Sequence, residues 1–262
     1  VRLRVLGCAG SFPSAGSAAS AYLVSAEDST GRTWTVLLDL GNGALGPLQR
    51  WGDPAALDMV AISHLHADHC ADLAVLSVVR RFHPAGPSPA LSVWGPAGTS
   101  ARIAELVGKD PAADMSSQYD VHVWEAGVPV TVGPMALTPV EMTHSVPTFG
   151  VRVDAPSEDD PARRVSLAYT GDTDAGPGLD TLATDVDLLL AEAGFREGRD
   201  DALRGLHLTG RRAGEAAARG GTRLLVLTHV PAWDDPHQAV TEAREVYPGP
   251  VELAEPGRLF VL

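Results

Sequence analysis

Ser63-His64-Leu65-His66-Ala67-Asp68-His69 places three imidazoles and a carboxylate within six residues. Histidine and carboxylate side chains are the ligand set that zinc and similar divalent ions prefer. The segment directly follows the apolar run Leu57–Ile62, which reads as a buried strand. In an extended chain His64 and His66 point the same way, because side chains alternate with period two. A turn into a helix then brings Asp68 and His69 round to the same pocket. The plain alternative is an exposed polar turn. With nine His in 262 residues, chance produces this spacing in on the order of one chain in a thousand, so the metal reading stands ahead.

Further candidates each follow an apolar run. His144 sits just beyond the run ending at Met142, and His229 closes Leu224–Thr228. Asp172 follows Leu167-Ala168-Tyr169-Thr170-Gly171, where the glycine permits a sharp turn. Glu192 follows Leu188-Leu189-Leu190, a continuous apolar run typical of a strand buried on both faces. A single His after a strand is ordinarily structural. Several polar residues delivered to strand ends describe one site, because ligands in open α/β sheets collect at the carboxyl ends of strands.

The elements that must position these groups are short. Strands are predicted at Leu3–Leu6, Ala21–Val24, Thr35–Leu40, Leu57–Ile62, Leu91–Trp94 and Val121–Trp124. Others fall at Met135–Glu141, Gly150–Val153, Val165–Tyr169, Val186–Ala191, Leu224–Thr228 and Leu259–Leu262. Helices are predicted over His69–Arg81, with Asp68 as N-cap, and over Thr99–Val107, Thr209–Arg219 and Pro236–Val246. Ala155–Arg164, with two prolines and an acidic run, reads as an exposed hairpin loop. No repeat or long linker divides the chain, so residues 1–262 read as one α/β domain with two sheets covered by helices.

Composition narrows the partners. Asp and Glu outnumber Lys and Arg by 33 to 20, a formal charge of −13, which argues against gripping a nucleic-acid backbone. No apolar run is long enough to span a bilayer. Val5-Leu6-Gly7-Cys8 after two arginines faintly resembles a lipoprotein cleavage site but lacks a signal-peptide apolar core. Cys8 and Cys70 are too few for a disulfide framework, and a cytoplasmic protein is expected.

The pattern His64-X-His66-X-Asp68-His69, followed in order by His144, Asp172 and His229, resembles the metallo-β-lactamase superfamily. Leu38-Asp39-Leu40-Gly41 also looks like its first, largely structural motif, so the resemblance spans essentially the whole chain. It implies a four-layer αββα sandwich with a two-metal site between the sheets. By that resemblance His64, His66 and His144 hold one metal, Asp68, His69 and His229 the other, and Asp172 bridges. An aspartate bridge resembles the phosphodiesterase branches more than the β-lactam hydrolases. Ala191-Glu192-Ala193-Gly194-Phe195 and His207-Leu208-Thr209 look like motifs of the tRNA 3′-processing (RNase Z-like) endonucleases. There the Glu and His form a relay that protonates the leaving oxygen, which makes Glu192 and His207 catalytic candidates here; Asp68 is a third, expected beyond ligation to orient the attacking hydroxide. The plain reading of His207 is a surface-loop histidine.

One departure matters. That group carries a tRNA-binding arm between the third His and the bridging Asp, whereas only 27 residues separate His144 from Asp172. Gly10-Ser11-Phe12-Pro13-Ser14, Gly41–Gly46 and Leu206–Arg211 look instead like actinobacterial cyclic-nucleotide phosphodiesterases of the superfamily. The expected activity is hydrolysis of a small phosphodiester, a 3′,5′-cyclic nucleotide foremost, with two divalent ions: zinc, or manganese or iron in its place. The alternatives are a tRNA 3′-processing endonuclease, a lactone or thioester hydrolase, and a non-catalytic metal-bound scaffold. A homodimer is compatible with the resemblance alone.

Other signals are set aside. Gly41-Asn42-Gly43-Ala44-Leu45-Gly46 fits a dinucleotide fingerprint, but the acidic residue it needs would be Asp68, already spent on the metal motif. No G-x-S-x-G occurs. His83, His122 and His237 have no evident partners, and the five tryptophans look too scattered for a base-stacking platform.

Overall fold

Period-two alternation sorts each strand's side chains between two interiors. In Leu188–Glu192, Leu188 and Leu190 enter the core between the sheets, while Leu189 and Ala191 face the helices behind. Thr33–Leu38 does the same with Val36 and Leu38 on one side and Leu37 on the other. A strand apolar on both faces must be covered on both. The computed structural model, which describes residues 1–262, satisfies this with two mixed sheets packed face to face and helices outside each.

The first sheet runs in the order Val230–Pro231, Arg2–Gly10, Ala21–Glu27, Thr33–Leu38, Met59–Ala61, Leu91–Gly95, Tyr119–Val123; Leu259–Val261 and Ala18–Ala19 also pair with Arg2–Gly10. The second runs Val251–Leu253, Leu224–Thr228, Leu188–Glu192, Arg164–Tyr169, Phe149–Pro156, Met135–Glu141, Val130–Val132. Leu48, Leu73, Leu76 and Ile103 carry the helices Leu45–Trp51, Leu73–Arg81 and Thr99–Leu106 onto the first sheet. Leu182, Ala213 and Ala243 carry Pro177–Ala183, Gly210–Gly220 and Pro236–Arg244 onto the second. This is the expected four-layer αββα sandwich. No helix is long and apolar enough to cross a membrane.

Register aligns the functional strand ends. Arg164–Tyr169, Leu188–Glu192 and Leu224–Thr228 are parallel, with Tyr169 opposite Leu190, Leu190 opposite Val226 and Glu192 opposite Thr228. The segments that follow them therefore emerge side by side. Between His144 and Asp172 the chain makes a hairpin, Phe149–Pro156 against Arg164–Tyr169; its loop, residues 157–163, is shorter than the predicted Ala155–Arg164, because Ala155, Pro156 and Arg164 extend the strand pairing.

Some element boundaries differ from expectation. The helix predicted over His69–Arg81 is two, Ala67–Cys70 and Leu73–Arg81. Asp72 makes the break: its N–H donates to the Leu40 carbonyl and its carboxylate accepts the Leu45 N–H at 2.8 Å, tying the chain sideways. Asp68 does not cap either helix, because its carboxylate turns to His69 and His229. The helices Leu45–Trp51 and Pro177–Ala183 escaped prediction; each is seven residues long and carries both Gly and Pro, which dilute a helical pattern.

Candidate metal centre

Two clusters of ligand atoms meet at one carboxylate. The first comprises His64, His66, His144 and Asp172, and the second Asp68, His69, Asp172 and His229. Within each, the donor atoms lie within 4.8 Å of one another. In the first, His64 Nε2 is 3.0 Å from His66 Nδ1 and 3.6 Å from Asp172 Oδ2, and His144 Nε2 is 3.4 Å from His66 Nδ1. In the second, His69 Nε2 and His229 Nε2 stand 3.1 and 3.4 Å from Asp172 Oδ1, and Asp68 Oδ2 stands 3.3 and 3.1 Å from the same nitrogens. Asp172 thus turns one oxygen to each cluster. All seven residues singled out from the sequence as ligands converge.

The donor set fits divalent ions. Three of the ring nitrogens facing away from the centre have their own partners: His69 Nδ1 meets Asp39 at 2.7 Å, His144 Nδ1 donates to the Leu206 carbonyl at 2.7 Å, and His64 Nδ1 lies 3.0 Å from Ser63 Oγ. Such outer partners fix the tautomer and leave the inward lone pair free to ligate. Asp172 Oδ1, buried, accepts no hydrogen bond from the protein, which a cation at that point would explain. Burial presses the His64 imidazole well below its ordinary pKa. Burial opposes ionisation of Asp172 too, but His229, His69 and His64 outweigh it and hold the carboxyl well below the usual range.

Asp39 braces the centre from beneath. Fully buried, it accepts from the Ser63 N–H, Ser63 Oγ, His69 Nδ1 and the Tyr169 hydroxyl, each at 2.7 Å. Tyr169 belongs to the second sheet, so this carboxylate ties both sheets to the metal loop. Asp39 holds φ at 56°, and His229 and Ser11 are also left-handed at 57° and 62°. Backbone strain of this kind costs on the order of 1–3 kcal/mol per residue and persists where packing over-determines it. One glycine of the Gly41–Gly46 run is required by packing: a Cβ on Gly41 would fall 1.9 Å from the Asp68 carbonyl.

Glu192 and His207 join on the open side. Glu192 is fully buried; its Oε1 accepts the Thr173 N–H at 2.8 Å and faces His207 Nδ1 at 2.9 Å, while Oε2 accepts the Gly194 N–H. The His207 ring lies 5.4 Å from that of His144 and 5.5 Å from that of His229, between the two clusters. Burial disfavours its charge, yet Glu192 raises its pKa to about 9. A surface-loop histidine would have none of this.

Sequence reasoning missed the parts that hold this loop. Asp174, 2% exposed, accepts Arg204 Nε at 2.6 Å and the Gly205 N–H at 2.8 Å, pinning the stretch that carries His207. The pair lies 30 positions apart in the chain and no local spacing announces it. Nor are all the tryptophans scattered: Trp94 stacks with His122 and lies 5.2 Å from Trp124, and Trp233 meets Phe12.

The fold and this centre define a known class. Residues 34–230 match the family model described as a beta-lactamase superfamily domain, and the chain belongs to that superfamily. A protein of Mycobacterium tuberculosis is 40% identical over 253 residues, 96% of this chain and 88% of that one. The crystal structure of the metallo-beta-lactamase fold protein YhfI from Bacillus subtilis superposes with a TM-score of 0.82 at 25% identity, covering 99% of this chain and 98% of the other. A ribonuclease Z of Myxococcus xanthus is 28% identical over 270 residues, 85% of this chain and 86% of that one.

Proposed function

We propose that this chain is a two-metal phosphodiesterase acting on a small diester, a 3′,5′-cyclic nucleotide foremost. The observation that carries the reading is the double cluster bridged by Asp172 with a carboxylate-backed imidazole on its open side. His64, His66 and His144 would hold one ion, Asp68, His69 and His229 the other, with Asp172 between them. Divalent ions held there, zinc being well suited to these ligands, supply a water that ionises near neutral pH and positive charge against the phosphoryl oxygens. Glu192 holds His207 in one tautomer and favours its protonated form, so His207 donates a proton to the departing oxygen. Asp68 has a second task, accepting a hydrogen bond from the attacking water.

A small substrate is favoured over a transfer RNA by two features. The interval from His144 to Asp172 makes only a hairpin, and the formal charge is −13. Likeness to a ribonuclease Z of Myxococcus xanthus keeps tRNA 3′ processing as the second reading. Elemental analysis followed by assays with bis(4-nitrophenyl) phosphate, cyclic AMP, cyclic GMP, a precursor tRNA and a model lactone tests the proposal. The expected result is bound metal and hydrolysis of a cyclic nucleotide. Cleavage of the tRNA with cyclic AMP untouched would transfer the assignment to the second reading, and metal without turnover of anything would leave a scaffold.

A further inference from the structure

The rim of the centre carries an aromatic pair with no part in metal binding or proton transfer. Phe12 and Trp233 have ring centroids 4.8 Å apart and planes tilted by 43°. Trp233 is 67% exposed. A lone exposed hydrophobic side chain is ordinary, so placement must carry the argument. Ala9 pairs with Val230 and Gly10 with Pro231, so the two loops leave a common edge beside His229. The approach is close: a Cβ on Gly10 would fall 2.2 Å from the His229 carbonyl, and the Ser11 N–H lies 3.3 Å from His229 Nε2.

Both rings sit on restrained turns. Phe12 follows left-handed Ser11, and its N–H donates to the Gly10 carbonyl at 2.7 Å. Trp233 lies in a turn closed by the Asp234 N–H on the Pro231 carbonyl, and the Asp234 carboxylate is gripped by Arg199 at 2.5 and 2.7 Å. The same Arg199 belongs to the segment between Glu192 and His207. An aromatic surface already ordered before binding loses little conformational freedom when a ligand arrives.

We infer that Phe12 and Trp233 form a stacking platform for an aromatic ring carried by the substrate, which is a nucleobase if the phosphodiesterase reading holds. The inference rests on that reading for the identity of the ring. Stacking on an aromatic side chain accepts any base, since every base presents a π face. The two rings touch, and the indole still stays open to solvent. The adjoining Asp234 and Asp235 are acidic, and the nearby Arg199 is neutralised by Asp234, which disfavours a nucleic-acid backbone alongside. The chemistry suits one neutral ring attached to one phosphate.

The test uses the full, metal-loaded chain and two probes, adenosine monophosphate and ribose 5-phosphate, with affinities read by calorimetry and the contact by tryptophan fluorescence. Adenosine monophosphate is expected to quench emission and bind more tightly than ribose 5-phosphate. Trp233→Leu should abolish the quenching and narrow the affinity difference on the order of tenfold. Phe12→Leu should narrow it less, and Trp233→Phe should restore most of it. With cyclic AMP, Trp233→Leu should raise KM more than it lowers kcat. Equal binding of the two probes by the unaltered chain, or an unchanged preference in Trp233→Leu, would overturn the inference. A chain that binds adenosine monophosphate through Trp233 but hydrolyses no diester would keep the platform and lose the phosphodiesterase reading. A chain that hydrolyses cyclic AMP and its base-free analogue with equal KM would do the reverse.

Discussion

The two halves of the metal centre are built differently. His64, His66, Asp68 and His69 reach it from one bend of chain between the strand Met59–Ala61 and the helix Leu73–Arg81. His144, Asp172, Glu192, His207 and His229 arrive singly, from five separate segments of the second half of the chain. The first group needs little beyond its own geometry and one brace, the Asp39 carboxylate. The second exists only if the parallel strands pair in register and the loop bearing His207 is held by Asp174 and Arg204. A closed centre requires both sheets. Metal binding therefore couples to the complete sandwich rather than to the histidine-rich bend.

The sharpest way to break this contrast is at the residue where the halves meet. Asp172→Ala removes a ligand atom from each cluster, so both ions and all hydrolysis should be lost while circular dichroism stays that of a folded α/β protein. Full metal content with full turnover would end the ligand assignment. His207→Ala touches only the remote half and leaves every ligand in place. It should keep its metal and lose on the order of 100-fold in kcat, as expected for removal of a general acid. Unchanged kcat would assign His207 a structural role. Glu192→Gln should act more gently, through pH. Without the carboxylate the His207 imidazolium is less stable and its pKa falls. A reaction that needs the protonated ring then loses rate at a lower pH than in the unaltered chain. The pH profile of kcat checks this, and an unmoved alkaline limb would exclude Glu192 as the partner that tunes His207.

The same division decides how much was legible in advance. The four residues of the bend were readable because their spacing is itself the geometry: alternation along a strand, then one turn of helix. The single candidate ligands after strands were readable as a set and through the family resemblance, each being a polar residue placed where an apolar run stops. Asp174 with Arg204, the Leu206 carbonyl under His144, and Phe12 with Trp233 left no trace of that kind. Their partners lie 30, 62 and more than 200 residues apart, and nothing periodic joins them. The predicted helix over His69–Arg81 failed for the same reason, since the sideways ties of Asp72 to Leu40 and Leu45 belong to no local pattern.

By itself, then, the sequence determined the chemistry available: which atoms could ligate, which strands needed covering on both faces, and that the surface would be acidic. Those are properties of residue type and short-range spacing, which the chain carries whether folded or not. Only the tertiary structure decided that Asp172 turns one oxygen to each cluster, that Glu192 reaches His207, and that two aromatic rings stand beside His229. Each depends on strand register and on the separation of packed sheets. A register slip of one residue would turn Glu192, the last residue of its strand, to the opposite face.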